Sequence, residues 1–333
     1  MTLSRKLLAL SVSGALLFSY TAWGVYISQL PTAIDPYKSA TEHVGVDVNR
    51  DSLPPSGAVF TSTVIELIDN MLEKSGGYIS NDLLVKVGAY DNMPSMERGM
   101  VFMVRDAVAV LRNDFSRSQS QSQEDSSLKK AQPSMNIDNT SWMLPSSEGS
   151  YSDAQNELEN YLQRMVDPQY PDTQFFSRAD NLVKYFDKVS QRLGSLSHAL
   201  IENVGQKDRV NVDLAGDASA RETTATSISR SVQSSYFEID NNFYEARGSV
   251  YALIALLKAV RIDFYEVLED KNALVSIDQI INEMKATQEI VWSPVIMNGS
   301  GFGMFANHSL TMVSYIGRAN AGIIDLKNLL EKG

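Results

Sequence analysis

The stretch ADNLVKYFDKVSQRLGSLSHAL, residues 179–200, decides the fold class. Ala179, Leu182, Phe186, Val189, Leu193, Leu196 and Leu200 recur at steps of three and four, with polar and charged residues between them. Those steps return side chains to one face of a 3.6-residue helix, so the segment predicts an amphipathic helix. The same pattern picks out Val101, Val104, Val108, Leu111 and Phe115. It recurs in Val250, Leu253, Leu257, Val260, Phe264 and Val267, and in Met312, Ile316, Ala319, Ile323, Leu326 and Leu330. Strand-like alternation is nearly absent. Ile254 and Leu256 widen the third stripe, which implies packing on more than one neighbour. The expected fold is all-α: an antiparallel helical bundle, with Pro and Gly between the stripes arguing against one long coiled coil.

Outward from these stripes, the N-terminus reads as a membrane segment. Leu7 to Ile27, LLALSVSGALLFSYTAWGVYI, carries no charge, and an apolar helix needs about 20 residues to cross a hydrocarbon core of about 30 Å. Arg5 and Lys6 precede it, and Tyr20, Trp23 and Tyr26 gather at its far end. Basic residues stay cytoplasmic and amphipathic rings prefer the headgroup layer. The expectation is a bacterial inner-membrane protein with a single span, a short cytoplasmic tail (1–6) and a periplasmic body. A cleaved signal peptide is the competing reading, with Ala22 and Gly24 as the small residues of a cleavage site. Against it, the apolar run is long and Trp23 and Val25 are bulky. Ser11, Ala15 and Ser19 form a small-xxx-small face in the span, a feature that lets membrane helices approach.

Beyond the span (7–27), residues 28–56, with Pro31, Pro36, Pro54 and Pro55, read as a juxtamembrane spacer. Residues 57–115 form a first helical part and 153–333 the main bundle. Between them, 116–152 is a polar linker or insertion; within it 116–134 has almost no apolar content and is expected to be a flexible loop, with the polar end of a long helix as the alternative. There is no cysteine, which excludes disulfides, thiol catalysis and a lipoprotein anchor. The formal net charge of −11 disfavours nucleic acid as a partner.

Motifs of catalysis are scarce. The histidines are His43, His198 and His308, and there is no HExxH motif, so no metal site of recognisable type is expected. The segment WSPVIMNGSGFGMFANHS, residues 292–309, is apolar yet carries Gly299, Gly301 and Gly303. It lacks the preceding strand and the Gly-Lys-Ser/Thr of a phosphate loop, so no cofactor is expected. His308 and Ser309 are the weak catalytic candidates. Neighbours on a helix point about 100° apart and do not form a nucleophile–base pair. The structural alternative is a buried hairpin with Asn307 or Ser309 capping the last helix. Asp106, Asp187 and Asp263, each near a basic residue in sequence, read as solvated helix faces. Arg98, Arg105 and Arg112, spaced by seven, read as a salt-bridged flank or, alternatively, a phosphate-binding face.

Longer strings carry a resemblance: GGYISNDLLV at 76–85, DNMPSMERG at 91–99, FFSRADNLVKYFDKVSQRLGSLS at 175–197, FYEARGSVYALIALLKAV at 243–260 and SPVIMNGSGFGMFANHSLTMVSYIGRANAGI at 293–323. The chain resembles a proteobacterial family of single-pass inner-membrane proteins catalogued as a domain of unknown function. The resemblance implies no activity. It directs attention to Asn298, Gly299, Asn307, His308, Ser309, Arg318 and Asn320 as an interaction or structural site. The expected function is a membrane-tethered, non-catalytic scaffold that binds an envelope protein or associates with itself. An envelope enzyme acting on peptidoglycan or lipid, and a helical lipid or small-molecule sensor, are the alternatives.

Overall fold

The computed structural model describes residues 2–82, 90–117, 124–204, 238–293, 295–299 and 304–332. Its first half contains α1 (Thr2–Ile27), α2 (Pro36–Val44), α3 (Ala58–Glu73), α4 (Asn92–Val110, continued as a π turn through Leu111–Phe115), α5 (Ser126–Met135) and α6 (Ser147–Val166). Its second half contains α7 (Ala179–Val204), α8 (Ile239–Asp263), α9 (Tyr265–Asp270), α10 (Leu274–Lys285) and α11 (His308–Lys332). Among the described residues, extended pairing is limited to isolated bridges, Asn49 with Ser52 and Asn298 with Asn307. The fold is all-α, and the apolar stripes are its buried faces: Leu182, Phe186, Val189, Leu193, Leu196 and Leu200 on α7 are all buried, as are Met312, Ile316, Ala319, Ile323, Leu326 and Leu330 on α11.

Helix α8 is the axis of the body. It packs along α4 and meets α3, α7 and α10 on its other sides. Its residues from Ala246 to Leu257 are therefore buried all round, which is what the broad stripe with Ile254 and Leu256 required. Helices α7 and α11 pair with each other, α5 pairs with α6, and α2 lies on α3. The α4–α8 crossing is close enough to exclude side chains. A Cβ on Gly248 would stand 2.0 Å from the carbonyl oxygen of Met96, and one on Gly99 2.1 Å from that of Glu245. Here glycine lets backbone meet backbone.

Two acids, Glu97 fully buried and Asp263 partly so, pin loops to this frame. Glu97 on α4 is fully buried; it meets Lys74 Nζ at 2.7 Å and accepts the backbone N–H groups of Ile79 at 3.1 Å and Ser80 at 2.8 Å. Burial pushes its carboxyl up, with the Lys74 charge opposing. Removing one partner of such a pair typically costs about 3–5 kcal/mol. At the end of α8, Asp263 accepts the Phe60 N–H at 2.6 Å and so places an anion at the N-terminus of α3. Burial pushes this carboxyl up to about 7, against the N–H groups of Phe60, Gly57 and Val59. Phe60, Phe115, Phe175, Tyr185 and Phe264 gather nearby, in ring contacts of 5.0 to 6.0 Å. The expectation of a solvated face at Asp263 is thus corrected: its basic sequence neighbour is not its partner. Asp106 and Asp187 likewise find theirs on other helices, Arg192 at 2.8 Å and Lys327 at 2.8 Å.

The structure also corrects the polar stretches. Within 116–134, residues from Ser126 onward form α5, whose N-terminus is capped by Asp125 through the N–H groups of Ser127 and Leu128. Leu128, Ala131 and Met135 supply one narrow buried face, too few apolar residues to stand out from composition. Residues 118–123 lie outside the described residues. The 116–152 linker further includes the first turn of α6, and the 28–56 spacer includes α2, started by Asp35 and Pro36.

Candidate functional site

The segment at 292–309 closes as a hairpin at the head of α11. The His308 N–H donates to the Met297 carbonyl at 2.8 Å, and the Gly299 N–H to the Ala306 carbonyl at 3.0 Å. Asn307 ties the turn to the helix. Its side-chain amide donates to the Gly299 carbonyl at 2.7 Å, and its oxygen accepts the Leu310 N–H at 2.8 Å. That is an N-cap: an oxygen one residue before the helix satisfies an orphan donor of the first turn. A Cβ on Gly299 would stand 2.3 Å from the Phe305 carbonyl oxygen, so only glycine fits. Gly301 and Gly303 lie outside the described residues.

His308 is held by its own ring. Nδ1 accepts the Met297 N–H at 3.0 Å, so the neutral imidazole carries its proton on Nε2. Burial lowers its pKa from the usual histidine value, which keeps it neutral at pH 7. Ser309 is fully buried and its hydroxyl has no hydrogen-bond partner, while its backbone N–H lies 3.4 Å from Asn298 Oδ1. The two weak catalytic candidates therefore do not bond to each other.

Beside the hairpin opens a groove of about 590 Å³, walled by Phe243 of α8, Met297, His308, Met312 and Tyr315, with Glu289 and Trp292 at its lip. Ile290 and Trp292 of its lining are exposed, Trp292 to 90%, and Val295, Met304 and Phe305 are exposed elsewhere on the 292–309 segment. The hairpin is thus not buried as a whole: Met304 and Phe305 are exposed. Arg318, one turn beyond Tyr315, stacks on that ring at 4.6 Å and pairs with Glu283 at 2.8 Å. Asn320 is not brought to the groove. It sits about 18 Å along the helix axis from His308 at 1.5 Å per residue, and its buried side-chain oxygen has no hydrogen-bond partner.

Other sequence candidates resolve into structural contacts. Arg98 pairs with Glu245, and Arg112 with Glu124 at 2.7 Å, whereas Arg105 donates to the carbonyls of Met135 and Ile137 at the end of α5. His198 is exposed on α7, beside Glu202 at 3.3 Å. His43 approaches Glu66 at 3.5 Å and Asp69 at 3.9 Å. This trio lies close enough together to suggest metal ligands, though ion pairing accounts for the approach. No local spacing could have revealed it, because the histidine comes from α2 and the acids from α3.

A second cavity, missed by motif reading, lies against the chain just past α1. Arg247, Lys258 and Lys285 line it together with Tyr251, Ile254 and Ile34. The available signal was a helical one: positions 247, 251, 254 and 258 share a face of α8, and two of them are cations inside an otherwise apolar run.

No curated protein and no solved structure is similar to the chain at a significant level. A family model does match, from residue 4 to residue 333, taking in the apolar N-terminal helix, the buried glycine crossing and the hairpin alike. The chain belongs to that family, described as an uncharacterized protein conserved in bacteria, DUF2333.

Proposed function

We propose that this is a membrane-anchored, non-catalytic docking protein of the bacterial envelope, which holds an apolar segment of a partner protein in the groove beside His308. The observation that carries the reading is the exposed apolar lip of that groove at Ile290 and Trp292, beside a hairpin capped by Asn307. Contiguous exposed apolar surface of this kind marks interaction sites. The polar groups at hand are poorly suited to catalysis, since His308 spends Nδ1 on the backbone.

Anchoring is supported by α1 itself. Its Leu10–Ile27 window has a mean hydropathy of 1.3 and is only 11% buried, so its apolar surface is not used by the core. Its last turn is used: Ile27 is 1% exposed, and Tyr90 covers Gly24 so closely that a Cβ there would stand 2.0 Å from the ring. That packing favours retention of the helix over cleavage. In this reading the body is an antiparallel bundle on the periplasmic side of the inner membrane, with the basic end of α1 in the cytoplasm.

Two measurements test the proposal. A photo-crosslinking amino acid at position 292, in full-length protein in cells, is expected to capture one discrete partner, while the same probe at exposed Val275 on α10 is not. Equal, diffuse labelling from both positions would sink the docking reading. A C-terminal alkaline phosphatase fusion is expected to be active and to resist carbonate extraction; an inactive or extractable fusion would sink the anchor reading.

A further inference from the structure

The second cavity has about 320 Å³ and an unusual wall. Arg247 is 2% exposed and makes no direct ion pair among the described residues; Glu289 attracts it only from longer range. Its Nη2 donates to the Gln288 carbonyl at 2.8 Å, and its buried Nε has no hydrogen-bond partner among the described residues. A guanidinium does not escape by losing its proton, and an unpaired buried charge carries a penalty of several kcal/mol. Lys258 and Lys285 share the cavity, and no acidic side chain among the described residues lines it. Lys258 donates to the Ile34 carbonyl at 3.4 Å; burial and the charge of Lys285 lower its pKa, against the attraction of Asp35. Natural folds keep buried charge paired; here the described residues do not supply the pairing group.

The rest of the wall describes that group. Along α8, Arg247 and Lys258 stand at either end of an apolar strip formed by Tyr251, Ile254 and Ala255, about 16 Å long at 1.5 Å per residue. Facing it, Leu30 to Ile34 follow directly on α1. A compact inorganic ion would leave that strip uncovered, whereas an amphiphile with an anionic head would cover it and satisfy the guanidinium. We propose that this cavity binds a phosphate group carried on an apolar body, the headgroup region of an anionic phospholipid at the membrane face. Arg247 engages the phosphate oxygens through Nε and Nη, the planar fork suited to phosphate, with Lys285 and Lys258 adding charge. The lipid as source rests on the anchor reading above; the anion site does not.

The test uses full-length, delipidated protein in a nonionic detergent. The probes are inorganic phosphate, a short-chain phosphatidylglycerol, and the matching phosphatidylcholine as a zwitterionic control. The phosphatidylglycerol is expected to raise the thermal midpoint by several degrees and phosphatidylcholine to do little. Arg247→Met should weaken binding by about ten- to a hundred-fold, the value of a charged hydrogen bond. It should also raise the midpoint of lipid-free protein by removing an unpaired buried charge, a sign that a structural salt-bridge role would reverse. If Arg247→Met does not fold, Lys258→Gln carries the comparison, with an expected loss of about three- to ten-fold. A shift from inorganic phosphate equal to that from phosphatidylglycerol would keep the anion site and assign a soluble source. No shift from either probe, or identical shifts in wild type and both variants, would overturn the proposal. Because the inorganic phosphate arm needs no membrane, its failure is separable from failure of the fusion assay for the anchor.

Discussion

Substituting Gly248 with alanine tests the central packing argument, because the structure sets two effects of known sign against each other. In an isolated helix the change is favourable by about 1 kcal/mol, since glycine loses more backbone entropy than alanine. At position 248 the new methyl would stand 2.0 Å from the Met96 carbonyl oxygen, and ordinary contact begins at 3.4 Å. Helix α4 must therefore withdraw by about 1.4 Å, the difference between those distances. Backbone atoms, rather than a side chain able to rotate away, make the contact. Overpacking of this kind costs about 1–3 kcal/mol, and the rigidity of the obstacle puts it at the upper end. The net expectation is a loss of about 2 kcal/mol, or a fall of roughly 4–8 °C in the thermal midpoint for a body of this size. Gly194 on α7 is the matched control, with nothing within 4 Å of its added Cβ; Gly194→Ala should raise the midpoint by about 1–4 °C. Both are measured by circular dichroism melts of the full-length protein in detergent. A Gly248→Ala protein as stable as Gly194→Ala would refute the reasoning, because the close crossing would then be worth nothing.

Two further outcomes follow from Glu97 and Asp263. Lys74→Met leaves Glu97 buried without its cation and should cost about 3–5 kcal/mol in denaturant titration, with the Lys74→Met/Glu97→Leu double variant recovering part of it; equal losses in both would show that the pair is not coupled. Asp263 has a folded-state pKa raised by burial to about 7, above an unfolded value near 3.8. The folded state therefore holds the extra proton between those values, so its contribution is full below about pH 4 and is lost as pH rises through 7. Asp263→Asn should flatten that decline while keeping an acceptor for the Phe60 N–H; an unchanged slope between pH 4 and 7 would rule the assignment out.

The helices were legible in the sequence wherever burial repeats at steps of three and four, as along α7 and α11. They were hidden where the buried face is short. Helix α5 rests on Leu128, Ala131 and Met135 and on an Asp125 cap, and its surroundings are so polar that composition pointed to a loop. The hairpin was legible through Asn307, since a capping residue before a new stripe is a local signal. The exposure of Met304 and Phe305 was not, because nothing in an apolar string says which side faces water. Partners between distant helices were out of reach altogether. Asp263 with the N-terminus of α3, and His43 with Glu66, exist only once the helices are placed.

Arg247 brings these two limits together and shows where the sequence was informative in a way that periodicity alone does not capture. Its position on the α8 stripe called for an apolar residue: Gly248, Val250, Leu253 and Leu257 around it are all buried, and so is Arg247 itself. A sequence that obeys its own pattern on either side and breaks it with a permanent cation is accepting a local instability, and such breaks are expected at functional positions. A surface explanation fails because the residue is 2% exposed, and a salt-bridge explanation fails because no carboxylate lines the cavity among the described residues. His308 breaks its own setting more gently, as a neutral ring satisfied by a backbone N–H. Of the two irregularities, the hairpin histidine is therefore explained by the fold, while the buried arginine calls for a partner that the described residues do not supply.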